Sequence, residues 1–150
     1  MKHRIRAAAI IIKEEKLLLV KHVHPESKFT WWVPPGGGVE QKDDSVTDCV
    51  KRETFEETGY EIEVGELLFV REFLDSENQT LNLELFFSAT IVGGELTLAN
   101  IHGTSPDADF IKQVKWISPE EISDITVFPP ELKNNFARNE NNIYLGRQNG

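Results

Sequence analysis

The chain has 150 residues, 39% of them hydrophobic and 27% charged, with a formal net charge of −9 at pH 7. That length is enough for one domain with a sizeable core, and no run approaches the roughly 18 consecutive apolar residues of a membrane span. The acidic balance disfavours approach to nucleic acid and points to a small-molecule partner, while a single cysteine, Cys49, excludes an intrachain disulfide and a thiolate metal cluster.

At the N-terminus, Met1-Lys2-His3-Arg4-Ile5-Arg6 is basic and leads into apolar residues, in the manner of an export signal. Lys13-Glu14-Glu15-Lys16 interrupts the apolar run and no small-residue cleavage site follows, so the expectation is a cytoplasmic protein. Residues 4–12 and 16–24, rich in Ile, Leu, Val and Ala, flank that polar segment as the two arms of a hairpin. Residues 66–73 are again apolar. Over 81–92 the pattern alternates, with Leu81, Leu83, Leu85, Phe87, Ala89 and Ile91 on one face and Asn82, Glu84, Ser88 and Thr90 on the other, which predicts a strand whose leucine face meets the core. Gly93-Gly94 supply a turn before Glu95–Leu98, and 110–117 reads as a further strand. Ser118-Pro119-Glu120-Glu121 combines an N-cap serine, proline at the first helical position and glutamate three residues after the cap. Pro129-Pro130 opens a last predicted helix through about Arg138, and the polar, asparagine-rich 139–150 is expected to fray. With no internal repeat or low-complexity block, residues 1–150 read as a single domain.

The informative stretch is Pro34-Pro35-Gly36-Gly37-Gly38-Val39-Glu40 and the helix predicted after it, from Asp44 or Ser45 to Thr58, with Asp44 as its N-cap and Gly59 as its stop. At about 100° per residue, Val46, Cys49 and Val50 share an arc with Glu53, Glu56 and Glu57. A core-packing stripe would continue with Leu or Val. Three carboxylates there sit at the negative end of the helix dipole, which costs about 0.3–1 kcal/mol each, and the i,i+4 pair Glu53–Glu57 adds a few tenths more. Spacing alone also fits a solvated acidic face paired with Arg52 or lysines. A triple-glycine loop ahead of the helix shifts the balance, because glycine lets backbone N–H groups approach phosphate oxygens or a carbonyl approach a metal. Hard oxygen donors without sulfur or imidazole favour Mg²⁺, or Mn²⁺ in its place, over Zn²⁺.

Gly38, five residues, Asp44, seven residues, then Arg52-Glu53-Thr54-Phe55-Glu56-Glu57-Thr58-Gly59-Tyr60 resembles the Nudix box, and Trp32-Val33-Pro34-Pro35-Gly36-Gly37 is similar to that family's approach to it. Asp44 stands where the family usually has Glu, and Thr54 where it has an aliphatic residue. The stretches Leu83–Phe87 and Val114–Glu121 also look like later parts of such domains. The resemblance implies an α+β fold, an α/β/α sandwich with a mixed central sheet flanked by helices, and Mg²⁺-dependent hydrolysis of a diphosphate linkage in a nucleoside diphosphate derivative. Carried over by position, Glu53, Glu56, Glu57 and the Gly38 carbonyl would bind the metal, Arg52 would orient a carboxylate, and either Glu53 or Glu57 would take the proton from water.

Gly36, Gly37 and Trp32 are the candidate substrate contacts, with strand alternation sending one of Trp31 and Trp32 inward and the other outward. Lys21, His22, His24, Arg71, Glu84, Asp107 and Asp109 are lesser candidates that fit ordinary surface equally well. A nucleotide-sensing domain without catalysis is the alternative, disfavoured by the intact glutamates. A phosphate-loop NTPase lacks its Gly-Lys-Ser/Thr, and a diphosphate isomerase would need chemistry that a packed Cys49 does not offer. The family also often pairs, which makes a homodimer built on strands 4–12 or 66–73 an expectation.

Overall fold

The structure is a computed structural model and describes residues 1–101 and 109–149. Strands β1 (Lys2–Ile10), β2 (Ile12–Lys13), β3 (Lys16–Val23), β4 (Thr30–Val33) and β5 (Gly36–Gly38) precede helix α1 (Val46–Thr58). A long hairpin follows, β6 (Tyr60–Asp75) and β7 (Thr80–Gly94), then β8 (Ile111–Ile117), the single-turn helix α2 (Pro119–Ile122) and β9 (Tyr144–Asn149). One mixed sheet runs β5-β1-β7-β6-β9, with β1 parallel to β7 and β9 parallel to β6; the second holds β2, β3 and β4, with β8 paired to β3. The α+β sandwich with a mixed sheet therefore stands, with α1 the one long helix among the described residues.

The apolar run of β1 serves two cores. Ala7, Ala9 and Ile11 pack with Leu18, Ile62 and the α1 residues Cys49 and Val50. Ile10, with Ala8 against it, joins Leu17, Leu19, Trp32, Phe69, Phe86 and Ile117 between the sheets. Burial on both faces is why this strand is nearly continuous in hydrophobicity rather than alternating. Glu14 and Glu15, at φ 52° and 60°, make the turn between β2 and β3.

Helix α1 begins at Ser45, whose hydroxyl accepts from Asp48 N–H at 3.1 Å, and ends at Gly59, which at φ 82° donates to the Phe55 carbonyl. The N-cap is thus Ser45 and not Asp44, which is exposed. Serine and aspartate cap equally well, so their adjacency hid the choice. Pro119 and the Ser118–Glu121 capping box start α2 as the sequence foretells.

Three other expectations change. In β7 the leucine face is not the core face throughout: Leu83 is 39% exposed, whereas Asn82 and Phe86 are buried. The polar face turns inward because Glu84 finds two arginines and Asn82 donates to the Phe73 carbonyl at 3.4 Å, so burial leaves both satisfied. Farther along, Phe87, Ala89 and Ile91 do pack on the helix side. Residues 130–138 form two 3₁₀ turns, Pro130–Lys133 and Asn135–Ala137, with Asn135, Phe136 and Ala137 at positive φ. Leu132 and Phe136 are buried at helical spacing, so core packing rather than helix propensity made that pattern. Finally, Tyr144–Asn149, expected to fray, pairs with β6; Gln148 anchors it by accepting from Arg71 and donating to Glu131 at 3.1 and 3.2 Å. Among the described residues no helix is long and apolar enough to cross a membrane.

Candidate active site

The glycine loop is a strand wedged against β1. A Cβ on Gly36 would lie 2.4 Å from the Ala7 carbonyl oxygen, and one on Gly37 would lie 2.5 Å from the Glu53 carboxyl carbon. At Gly36 only hydrogen fits, and at Gly37 a methyl would push the Glu53 carboxyl aside, so the backbone of β5 lies directly on the acidic arc of α1. Gly36 N–H donates to Glu57 Oε1 at 2.9 Å. Glu53 and Glu57 are 9% and 4% exposed, so the expected glutamates are not a solvated surface face. Glu56 is half-buried beside them.

Arg52 organises the cluster. It donates through Nε and Nη2 to the two Asp43 oxygens, both at 2.8 Å, and through Nη1 to Glu53 Oε1 at 2.9 Å. Its Nη2 also donates to the Gly38 carbonyl at 3.3 Å, and Glu56 Oε2 lies 3.5 Å from Nη1. The bidentate bond from Arg52 holds the Asp43 carboxyl down at about 2, and the Asp43 hydrogen bond in turn pushes the Arg52 guanidinium above its ordinary range. Sequence reasoning missed Asp43. Its one signal was an aspartate pair ahead of a helix whose serine could already cap it, leaving one carboxylate for Arg52.

Cys49 is fully buried, and its thiol contacts the Gly37 and Gly38 carbonyls at 3.7 and 3.5 Å. Burial pushes that thiol up to about 12, the state of a packing group and not of a nucleophile. Thr54, at the usually aliphatic position, is also fully buried, and among the described residues its hydroxyl has no hydrogen-bond partner.

Of the substrate candidates, Gly36 and Gly37 border a small cleft of about 30 Å³, which Arg6, Arg71, Glu84 and Phe128 also line. Trp32 points inward at 7% exposure into the inter-sheet core, with Lys21 Nζ 5.9 Å from its ring centroid. Trp31, half-buried, stacks between His22 and Phe29 at centroid distances of 5.3 and 5.6 Å. His24 sets its ring edge-on to Phe110. Arg71 and Glu84 are not surface residues: their side chains are 5% and 13% exposed. Asp109 is exposed in a turn ahead of β8, and Asp107 lies outside the described residues.

Among the described residues no three Asp, Glu, His or Cys side chains converge on a common point as they stand. Glu57 is turned to the loop N–H, and Glu53 and Glu56 to Arg52. The donor set still suits a hard divalent cation: every side-chain donor is a carboxylate oxygen, and Asp43, Glu53 and Glu56 all meet Arg52. That excess of negative charge in a half-buried place is what a cation would relieve.

The α+β fold thus carries carboxylates and an arginine on one helix, packed under a glycine strand beside a cleft. The NUDIX domain model matches residues 2–138. A MutT-like protein of Streptomyces ambofaciens is 30% identical over 123 residues, covering 81% of this chain and 68% of that protein. A Nudix hydrolase from Nitrosomonas europaea superposes with a TM-score of 0.67 at 26% identity, covering 83% of this chain and 78% of its own. A MutT Nudix hydrolase from Burkholderia pseudomallei does so at 0.63 and 25%, covering 81% and 87%. The chain belongs to the Nudix family, and as such it is a pyrophosphohydrolase, of a kind that generally works with divalent metal ions.

Proposed function

We propose that the chain hydrolyses the diphosphate linkage of a nucleoside diphosphate derivative with Mg²⁺, for which Mn²⁺ substitutes, and that the acidic arc of α1 is where this happens. The observation that carries the reading is the burial of Glu53 and Glu57 directly beneath the glycine strand, with Glu57 hydrogen-bonded to it. Glu53, Glu56 and Glu57, with the Gly38 carbonyl, would hold the ion. When bound, Mg²⁺ neutralises the diphosphate and lowers the pKa of a coordinated water.

The rest is work for the chain's own groups. Arg52, fixed by Asp43, orients Glu53 by its 2.9 Å bond. Backbone of Gly36 and Gly37 borders the diphosphate, and Glu53 or Glu57 accepts the proton as water attacks phosphorus. The P–O bond to the leaving phosphate then breaks, releasing two phosphate products. Trp32, packed in the inter-sheet core, is not among the residues that line the cleft, and a small molecule of this kind needs neither nucleic acid nor membrane.

The test is a panel of nucleoside diphosphate derivatives assayed with Mg²⁺ and with EDTA, wild type against Glu57→Gln. Turnover that needs Mg²⁺ and falls about a hundredfold or more in the variant is expected. Activity in EDTA, or an unaffected variant, contradicts the metal role; no activity on any compound favours a nucleotide sensor.

A further inference from the structure

Three cations gather on the cleft face of the mixed sheet. Arg6 faces Glu84 across the β1–β7 pair, and Arg71 faces the same Glu84 across β6–β7. Glu84 Oε2 lies 3.3 Å from Arg6 Nε, and Oε1 accepts from Arg71 Nε at 2.5 Å. Arg4, one alternation earlier on β1, sets its guanidinium against Gly38, where a Cβ would lie 2.5 Å from it.

The pairing is unusual in how it spends its donors. Arg71 donates its Nε to Glu84, and Arg6 meets the same carboxylate through its Nε as an ion pair. Arg71 Nη1 goes to Gln148. Among the described residues Arg71 Nη2 and both terminal nitrogens of Arg6 make no hydrogen bond, and none of them is a buried polar atom, so they are open to the cleft solvent. Two guanidinium groups held side by side repel, and an anion between them would relieve that repulsion. The Phe73 and Phe128 rings, 5.3 and 6.0 Å from Arg71 Cζ, hold its plane. Both arginines line the same cleft as Gly36 and Gly37, with Phe86 and Phe128 as apolar walls. Fixed guanidinium forks with free amino groups match a tetrahedral oxyanion.

We propose that Arg6 and Arg71, spaced by Glu84, form a seat for a phosphoryl group of the substrate. Resting on the hydrolase reading above, this assigns a preference for substrates carrying a phosphoryl group beyond the two joined by the scissile bond, as a nucleoside triphosphate does and a nucleoside diphosphate sugar does not. Glu84 is a positioning residue: both its oxygens are engaged, and it keeps the two cations together.

The test is calorimetric titration of the full chain with inorganic phosphate in EDTA, where the acidic helix has no metal and repels anions, so that binding reports the arginines alone. Wild type is expected to bind, Arg6→Gln to bind at least tenfold more weakly, and Arg6→Lys, which keeps charge without a fork, about threefold more weakly. Arg138→Gln, at an exposed arginine paired with Glu15, is expected to match wild type. With Mg²⁺, Arg6→Gln should raise KM for a nucleoside triphosphate about tenfold with kcat little changed, and leave a nucleoside diphosphate sugar within about twofold. No phosphate binding by wild type, or unchanged binding in Arg6→Gln, overturns the seat; should that variant fail to fold, unchanged binding in Arg6→Lys does so. Equal losses on both substrates overturn the assigned preference. Phosphate binding without hydrolysis of any compound would remove the hydrolase reading and leave the seat standing.

Discussion

Asp43 and Asp44 are adjacent, chemically identical and structurally opposite. Asp44 is exposed, while the Asp43 side chain is 3% exposed and holds both ends of the Arg52 fork. Because its carboxyl is lowered to about 2 from an ordinary 3.8, the ionised form is favoured by folding, so the stability it contributes is present above about pH 4 and is lost as pH falls through about 2. Asp43→Asn should therefore cost about 1–3 kcal/mol at pH 7, with the gap to wild type closing between about pH 4 and pH 2, as read by denaturant unfolding across pH. Asp44→Asn should stay within about 0.5 kcal/mol throughout. Equal effects of the two substitutions would contradict the assignment of Asp43 as the partner of Arg52. The sequence showed that Arg52 should meet a carboxylate but not which one, since one residue of register separates a buried ligand of a guanidinium from a solvated charge.

At the scale of elements, β5 is the hinge of the account, because three residues without side chains let a strand lie between β1 and α1. The two walls differ. A methyl on Gly36 meets rigid backbone, Ala7 O at 2.4 Å and Ala8 Cα at 2.6 Å, whereas one on Gly37 meets the far end of the Glu53 side chain. Gly36→Ala should thus destabilise the fold by about 2 kcal/mol or more, as overpacking against backbone does. Gly37→Ala should unfold within a few degrees of wild type yet lose at least tenfold in activity, because the group displaced is a proposed ligand. Thermal unfolding and initial rates on the same preparations decide it, and a Gly37→Ala enzyme with full activity would detach Glu53 from the chemistry. Elements with one dominant cause were legible: the Ser118 capping box and the Gly59 stop formed as their residue types require, and the polar segment at Glu14-Glu15 became a turn although glutamate does not favour its left-handed φ. Elements held by tertiary partners were not. The polar strand β9 carries no hydrophobic alternation and is fixed by Gln148, and the buried Leu132 and Phe136 imitate a helix that their left-handed neighbours do not make.

For the whole molecule, the net charge of −9 is distributed with purpose. Glu53, Glu56 and Glu57 lie on α1 beneath the glycine strand, and Arg4, Arg6 and Arg71 on the opposite, cleft side of the same sheet. The first half of this arrangement was readable, because helical periodicity alone brings Glu53, Glu56 and Glu57 to one arc. The second was not: Arg6, Arg71 and Glu84 are far apart in sequence and meet only through the parallel β1–β7 pairing and the β6–β7 register, neither of which leaves a local pattern. Alternation in 81–92 even pointed the wrong way there, since Glu84 lies on the face that hydrophobicity assigns to solvent. What unites the two sides is the claim that the acidic arc is tolerated inside the protein because a divalent ion occupies it. Titration of Mn²⁺ into metal-free protein, followed by electron paramagnetic resonance of the free ion, tests that claim without any substrate. Wild type is expected to bind Mn²⁺ and to lose at least tenfold in affinity on Glu53→Gln or Glu57→Gln; binding equal in wild type and both variants would contradict it.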